Sequence, residues 1–196
     1  DEYKNRVIQL GEQPQRVFNV GALGIENINR IKLLSKLEFE KSIKFNLAEL
    51  NFLVTFHPVT LEKETAGGQL RNLLLALNFF PEAKIIFTKA NADNDGRIIN
   101  DILEDYVKKN SVKTVLFDSM GQIRYLSAIK HCQVVIGNSS SGLIEVPSFK
   151  KPTINVGDRQ KGRIQATSVI SCEPNKKAIV ESIQLALSSS FQKKMR

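Results

Sequence analysis

Short apolar, β-branched runs recur along this chain, and stretches with helical spacing lie between them. The runs are Val17–Val20, Phe52–Phe56, Lys84–Thr88, Thr114–Phe117, Val134–Gly137 and Thr153–Val156, with a shorter one at Ser168–Cys172. Helical periodicity links Ile28, Ile31, Leu34 and Leu37; Leu70, Leu73, Leu74 and Leu77; Ile98, Ile99, Ile102, Leu103 and Tyr106; Ile123, Leu126 and Ile129; and Ile179, Ile183 and Leu187. Glu38–Glu49 reads as helix leading into the second strand. Strands alternating with amphipathic helices form βαβ units. The predicted fold is therefore α/β, a Rossmann-like parallel sheet with helices on both faces.

In an open parallel sheet, ligands bind outside the carboxyl ends of the strands. The polar residues of this sequence gather at those ends. His57-Pro58 follows the second run, and the loop from Lys89 to Gly96 follows the third. Asp118-Ser119-Met120-Gly121, Asn138 with Ser139, Ser140 and Ser141, and Gly157-Asp158-Arg159-Gln160-Lys161-Gly162-Arg163 follow the next three. Five loops are thus predicted to share one rim.

Each of these has an ordinary and a chemical reading. GNSSSG supplies helix N-cap residues, favoured there for helix reasons alone. Three serines exceed what a cap needs, and backbone N–H groups with hydroxyls at a helix start suit a phosphate. Glu145 lies further into that helix and reads either as a surface acid or as an acceptor for sugar hydroxyls. GDRQKGR is a solvated turn or a cationic loop for a diphosphate, with Arg159 the best-placed charge. His57 is a core histidine or a proton-handling group. His131, near a helix C-terminus, reads as structural. Asn91 and Asp93 fit turn chemistry. No dinucleotide fingerprint, P-loop, calcium loop or nucleophile elbow occurs.

Composition narrows the classes. The chain has 196 residues, 42% hydrophobic and 24% charged, ordinary values for a domain with a real core. Its longest unbroken aliphatic run, Leu73–Leu77, is far below the roughly 20 residues of a membrane span. The polar opening DEYKNRVIQL does not read as a secretory signal. Cys132 and Cys172 fit no metal or disulfide pattern, so a cytoplasmic protein with reduced thiols is expected, without metal or cofactor. The net charge of +8 is compatible with nucleic acid, an anionic membrane surface or an anionic small molecule. Its lysines are scattered and lack interleaved aromatics, which argues against nucleic acid.

VFNVGALGIENI, VTFHPVT, the ANAD loop, FDSMGQIRYLSAIKH and VVIGNSSSGLIEVPSFKKPTINVGDRQKGR together resemble the hydrolysing UDP-N-acetylglucosamine 2-epimerases. The resemblance covers roughly residues 16 to 187 and is most specific from 134 to 163. It implies the second, UDP-binding half of a GT-B-type two-domain enzyme. Residues 1–15 would then be a linker from a preceding domain, 16–190 the Rossmann-like domain and 191–196 a truncated tail. It also implies site roles. His57 would act catalytically on the sugar side, and Asn91 and Asp93 would lie near the substrate. Met120 would line the uracil, Ser139 and Ser140 would contact the diphosphate, Glu145 the ribose hydroxyls, and Arg159 the nucleotide.

The implied reaction eliminates UDP from UDP-N-acetylglucosamine and adds water to the resulting glucal, giving N-acetylmannosamine and UDP for sialic acid or capsule synthesis. The implied partners are UDP or UDP-N-acetylglucosamine, the preceding domain and further copies of the parent enzyme; this chain alone would bind UDP without turnover. Alternatives within the same architecture are a non-hydrolysing epimerase, a related epimerase acting on a diacetamido-trideoxy sugar nucleotide, and a glycosyltransferase donor domain.

Overall fold

The computed structural model describes residues 2–59, 66–90 and 94–195. Asn51–Thr55 (β1), Lys84–Thr88 (β2), Thr114–Phe117 (β3), Val134–Gly137 (β4), Thr153–Val156 (β5) and Val169–Cys172 (β6) form one sheet in the order β3-β2-β1-β4-β5-β6. Every pairing is parallel. The helices are Glu2–Gln9 (α1), Leu23–Arg30 (α2), Lys36–Ile43 (α3), Ala66–Leu77 (α4), Asn94–Lys109 (α5), Gly121–His131 (α6), Ser141–Ile144 (α7), Lys176–Leu187 (α8) and Ser189–Lys194 (α9).

The two-residue period of a strand divides the core. Phe52, Val54 and Phe56 of β1 and its continuation pack with Ile85, Phe87, Val134, Ile136 and residues of α4, α5 and α8. Leu53, Ile86 and Val135 point to the other face, against α2, α3 and α6. Both faces are covered, which is why the central strands read as continuous apolar runs. The chain winds from β1 outward to β3, then returns to lay β4 beside β1 and winds outward again to β6. The strand order reverses between β1 and β4, and that is where an open α/β sheet leaves a crevice at its carboxyl edge.

Four expectations are corrected. Val17–Val20 is not a strand: it pairs with neither sheet edge, and Phe18 and Val20 stand 77% and 75% exposed. Strand propensity without a ladder partner leaves the backbone irregular. The Ile28–Leu37 periodicity is two helices, because Ser35 and Glu38 form a capping box that starts α3 afresh. The break between them is anchored on α6: Ser127 Oγ accepts from the Leu34 N–H at 3.0 Å, and His131 Nε2 lies 2.9 Å from the Leu34 carbonyl. α3 itself ends at Ile43, with Lys44 left-handed at φ 52°, so the helix read over Glu38–Glu49 stops early. The helix after the serines is a single turn, followed by a 3-10 turn at Val146–Phe149. Pro147 has no N–H to continue an α-helical ladder.

His131 stacks on Phe39 with ring centroids 5.7 Å apart, the structural role read for it. Cys132, just beyond α6, is fully buried, and burial pushes its thiol up to about 12. A raised thiol value means the fold favours the neutral form. Its contribution is therefore intact below about pH 9 and is lost as the pH climbs from there toward 12. Urea titrations should show stability falling with pH over that window, by up to about 1.4 kcal/mol per pH unit. Cys132→Ala should remove that slope component.

Candidate functional site at the β1–β4 switch point

Two glycines fix the loop that follows β4. Gly137 has φ 138°, and a Cβ there would stand 1.8 Å from the Thr55 carbonyl oxygen. At Gly142 a Cβ would stand 2.6 Å from Thr153 Cγ2, while Thr153 Oγ1 donates to the Gly142 carbonyl at 2.8 Å. No larger residue fits either place without displacing β1 or β5. The four residues between them, Asn138 to Ser141, are thereby held over the crevice.

Asn138 is fully buried and joins three loops. Its Oδ1 accepts from the His57 N–H at 2.7 Å, and its Nδ2 donates to the His57 carbonyl at 2.8 Å. Its own N–H donates to the Thr55 carbonyl at 3.2 Å. Its carbonyl accepts from Arg159 Nη1 at 3.0 Å and from Gln160 Nε2 at 2.7 Å. The side-chain amide thus extends the β1–β4 ladder beyond the strands. Asn100 of α5 pairs with a backbone in the same two-bond way after β2, accepting from the Ala90 N–H at 2.9 Å and donating back to its carbonyl at 3.4 Å.

His57, Ser139, Ser140 and Arg159 are therefore brought together around Asn138. His57 is half-buried, as are both serines, and Arg159 is exposed. Among the described residues neither the Ser139 nor the Ser140 N–H meets an acceptor. Two unused N–H groups, two hydroxyls and a guanidinium make a donor set for an anion. α7 is too short for its dipole to add much, so the site rests on these local donors.

Glu145 caps the end of α7, with one carboxylate oxygen buried and without a partner among the described residues. A Cβ on Gly24, at the start of α2, would lie 3.5 Å from its Oε1. Tyr125 of α6 stands behind it. Burial pushes that phenol above its ordinary value and Glu145 adds to the shift, while the Ser141 and Thr55 hydroxyls pull against it. Met120, at the start of α6, is only 3% exposed and packs in the core, and its carbonyl accepts from Arg124 Nε at 2.8 Å. It lies at the end of β3, two strands from the crevice. Asn91 and Asp93 lie outside the described residues. Asn138, Gln160 and Tyr125 were missed as organisers. An Asn directly after a strand-ending glycine is a signal for the first; nothing in the sequence marks the other two.

The rim is electrically uneven. After β2, Lys89 Nζ is paired with Glu104 at 2.7 Å and Asp118 at 2.5 Å, and these two carboxylates hold its ammonium well above the usual lysine range. After β5 come Arg159 and Arg163. Arg163 borders a cleft of about 840 Å³ formed by α1, residues 17–22 and α7, where Tyr3 Oη accepts from the Ile164 N–H at 3.3 Å.

The family model described as UDP-N-acetylglucosamine 2-epimerase matches residues 1–196. The chain belongs to this family. It is 46% identical over 173 residues to the GDP/UDP-N,N'-diacetylbacillosamine 2-epimerase (hydrolyzing) of Campylobacter jejuni, which covers 88% of this chain and 45% of that protein. It is 44% identical over 193 residues to the polysialic acid biosynthesis protein P7 of Escherichia coli, covering 97% of this chain and 48% of that one. The chain thus spans about half the length of these curated relatives. Among solved structures, the UDP-GlcNAc 2-epimerase of Neisseria meningitidis bound to UDP-GlcNAc superposes with a TM-score of 0.70 at 15% identity, over 100% of this chain and 53% of that one. The Methanocaldococcus jannaschii UDP-GlcNAc 2-epimerase in complex with UDP-GlcNAc and UDP gives 0.72 at 18%, over 96% and 52%. Those structural likenesses establish the Rossmann-like fold of this member of the epimerase family.

Two mutational outcomes follow from the frame of this site. Asn138→Ala strands the His57 N–H and carbonyl, and urea denaturation should show a loss of roughly 2–4 kcal/mol. Gly142→Ala should cost about 1–3 kcal/mol by overpacking. Adding Thr153→Ser, which deletes Cγ2 and keeps the hydroxyl, should return part of it.

Proposed function

We propose that this chain is the nucleotide-binding half of a hydrolysing UDP-sugar 2-epimerase. The observation that carries the proposal is the meeting of His57, Ser139, Ser140 and Arg159 on one buried asparagine at the β1–β4 switch point. The diphosphate of UDP would lie on the Ser139 and Ser140 donors with Arg159 beside it. Glu145, with its unpartnered buried oxygen, would accept from the ribose hydroxyls. The sugar would then extend toward His57. Asn91 and Asp93 complete the proposed substrate contacts, and Met120, whose side chain packs in the core, would line the uracil side through its backbone only.

In the reaction of the parent enzyme, the proton on sugar C2 and the UDP oxygen on C1 leave together, forming the C1–C2 double bond of a 2-acetamidoglucal. Water then adds, its hydroxyl to C1 and a proton to C2 from the opposite face. With UDP-N-acetylglucosamine the products are N-acetylmannosamine and UDP. This half would stabilise the charge gathering on the departing diphosphate with donors already in place, and His57 would assist proton transfer. A preceding domain, reached through residues 1–15, would supply the rest of the cleft, with residues 16–190 as the nucleotide-binding domain, and a homo-oligomer in the cytoplasm is proposed for the parent enzyme. A second reading, a diacetamido-trideoxy sugar nucleotide as substrate, is favoured by the name of the 46%-identical relative; product analysis by NMR separates the two.

Calorimetric titration of the 196-residue chain with UDP tests the core of this proposal. Binding is expected, with Ser140→Ala and Arg159→Ala each weakening it by roughly 1.5–3 kcal/mol. UDP-N-acetylglucosamine should not be turned over by this chain alone. Absence of both heat and thermal shift at millimolar UDP would sink the nucleotide assignment.

A further inference from the structure

Gln160 is polar, only 1% exposed, and flanked on both sides by exposed cations. Its Nε2 donates to the Asn138 carbonyl at 2.7 Å. Its Oε1 is buried with no partner among the described residues. An orphaned buried acceptor is destabilising, and an isosteric methionine would remove it. Stability therefore does not account for an amide at this position.

Orientation does account for it. The Asn138–Ser139 peptide is trans, so its carbonyl and the Ser139 N–H point in opposite directions. Holding the carbonyl against Gln160, on the β5 side, turns the Ser139 N–H away from β5 and into the crevice. Arg159 also donates to this carbonyl, but from an exposed side chain. Gln160, by contrast, is enclosed and neutral.

We propose that Gln160 is a positioning residue, whose buried amide fixes the Asn138–Ser139 peptide so that the Ser139 N–H serves as an anion donor. The inference rests on the anion-site reading given above and adds a residue that does not itself touch the ligand.

The test uses Gln160→Met and Gln160→Glu, read by NMR without ligand and by calorimetry with UDP and with inorganic pyrophosphate. Gln160→Met should melt within a few degrees of the wild type. It should nonetheless shift the Asn138 carbonyl carbon and the Ser139 amide resonances, and weaken UDP about three- to tenfold. Gln160→Glu loses its donor only when ionised, so its deficit should reverse as the pH falls through the new carboxyl's titration, with the wild type run in parallel. Unchanged resonances in Gln160→Met, or shifted resonances with wild-type affinity, would overturn the proposal. If the wild type binds pyrophosphate but not UDP, the nucleotide reading fails and Gln160 is judged on pyrophosphate. If it binds neither, both fall.

Discussion

The site depends on one side chain spanning two strand ends. β1 and β4 are adjacent but belong to opposite windings of the chain, so their loops diverge. A crevice between diverging loops is of little use unless something sets its width. The Asn138 amide does so by pairing with both backbone groups of His57, as another residue of ladder would. The same residue's carbonyl then receives the β5 loop. Three loops from distant parts of the sequence are thereby held in one frame, with the asparagine wholly out of water.

The glycines on either side explain why that frame is stiff. Gly137 lets the β4 backbone approach Thr55 closer than any side chain allows, and Gly142 seats the following turn against Thr153. Tight backbone approach on both flanks leaves the intervening peptides little room to rotate. Preorganised donors lose little on engaging charge, and that favours stabilising an anion as it forms.

Much of this architecture is legible in the residues, for a physical reason. β2, β3, β4 and β5 match their predicted runs end to end, most plainly β4, which is buried along its whole length and carries no polar side chain. The shared rim follows from the parallel sheet, and the family resemblance rests on the loops that the rim collects. What periodicity missed was set by local hydrogen bonding or by absent pairing. The Ser35–Glu38 capping box interrupts an apolar spacing that reads as continuous. Val17–Val20 has strand chemistry but no ladder among the described residues. Gln160 hides in a loop that reads as cationic and solvated, because burial of a single amide is a tertiary fact with no periodic trace.

The clamp on Lys89 has a consequence for how anything charged arrives. Two carboxylates cancel the cation on the β2 side of the rim, while the exposed guanidinium of Arg163 lies on the β5 side. The field over the mouth is therefore lopsided. A molecule with its negative charge at one end experiences a torque as well as an attraction, and it is turned while still in solvent. Productive encounters become a larger fraction of collisions, and that fraction shrinks as salt screens the gradient.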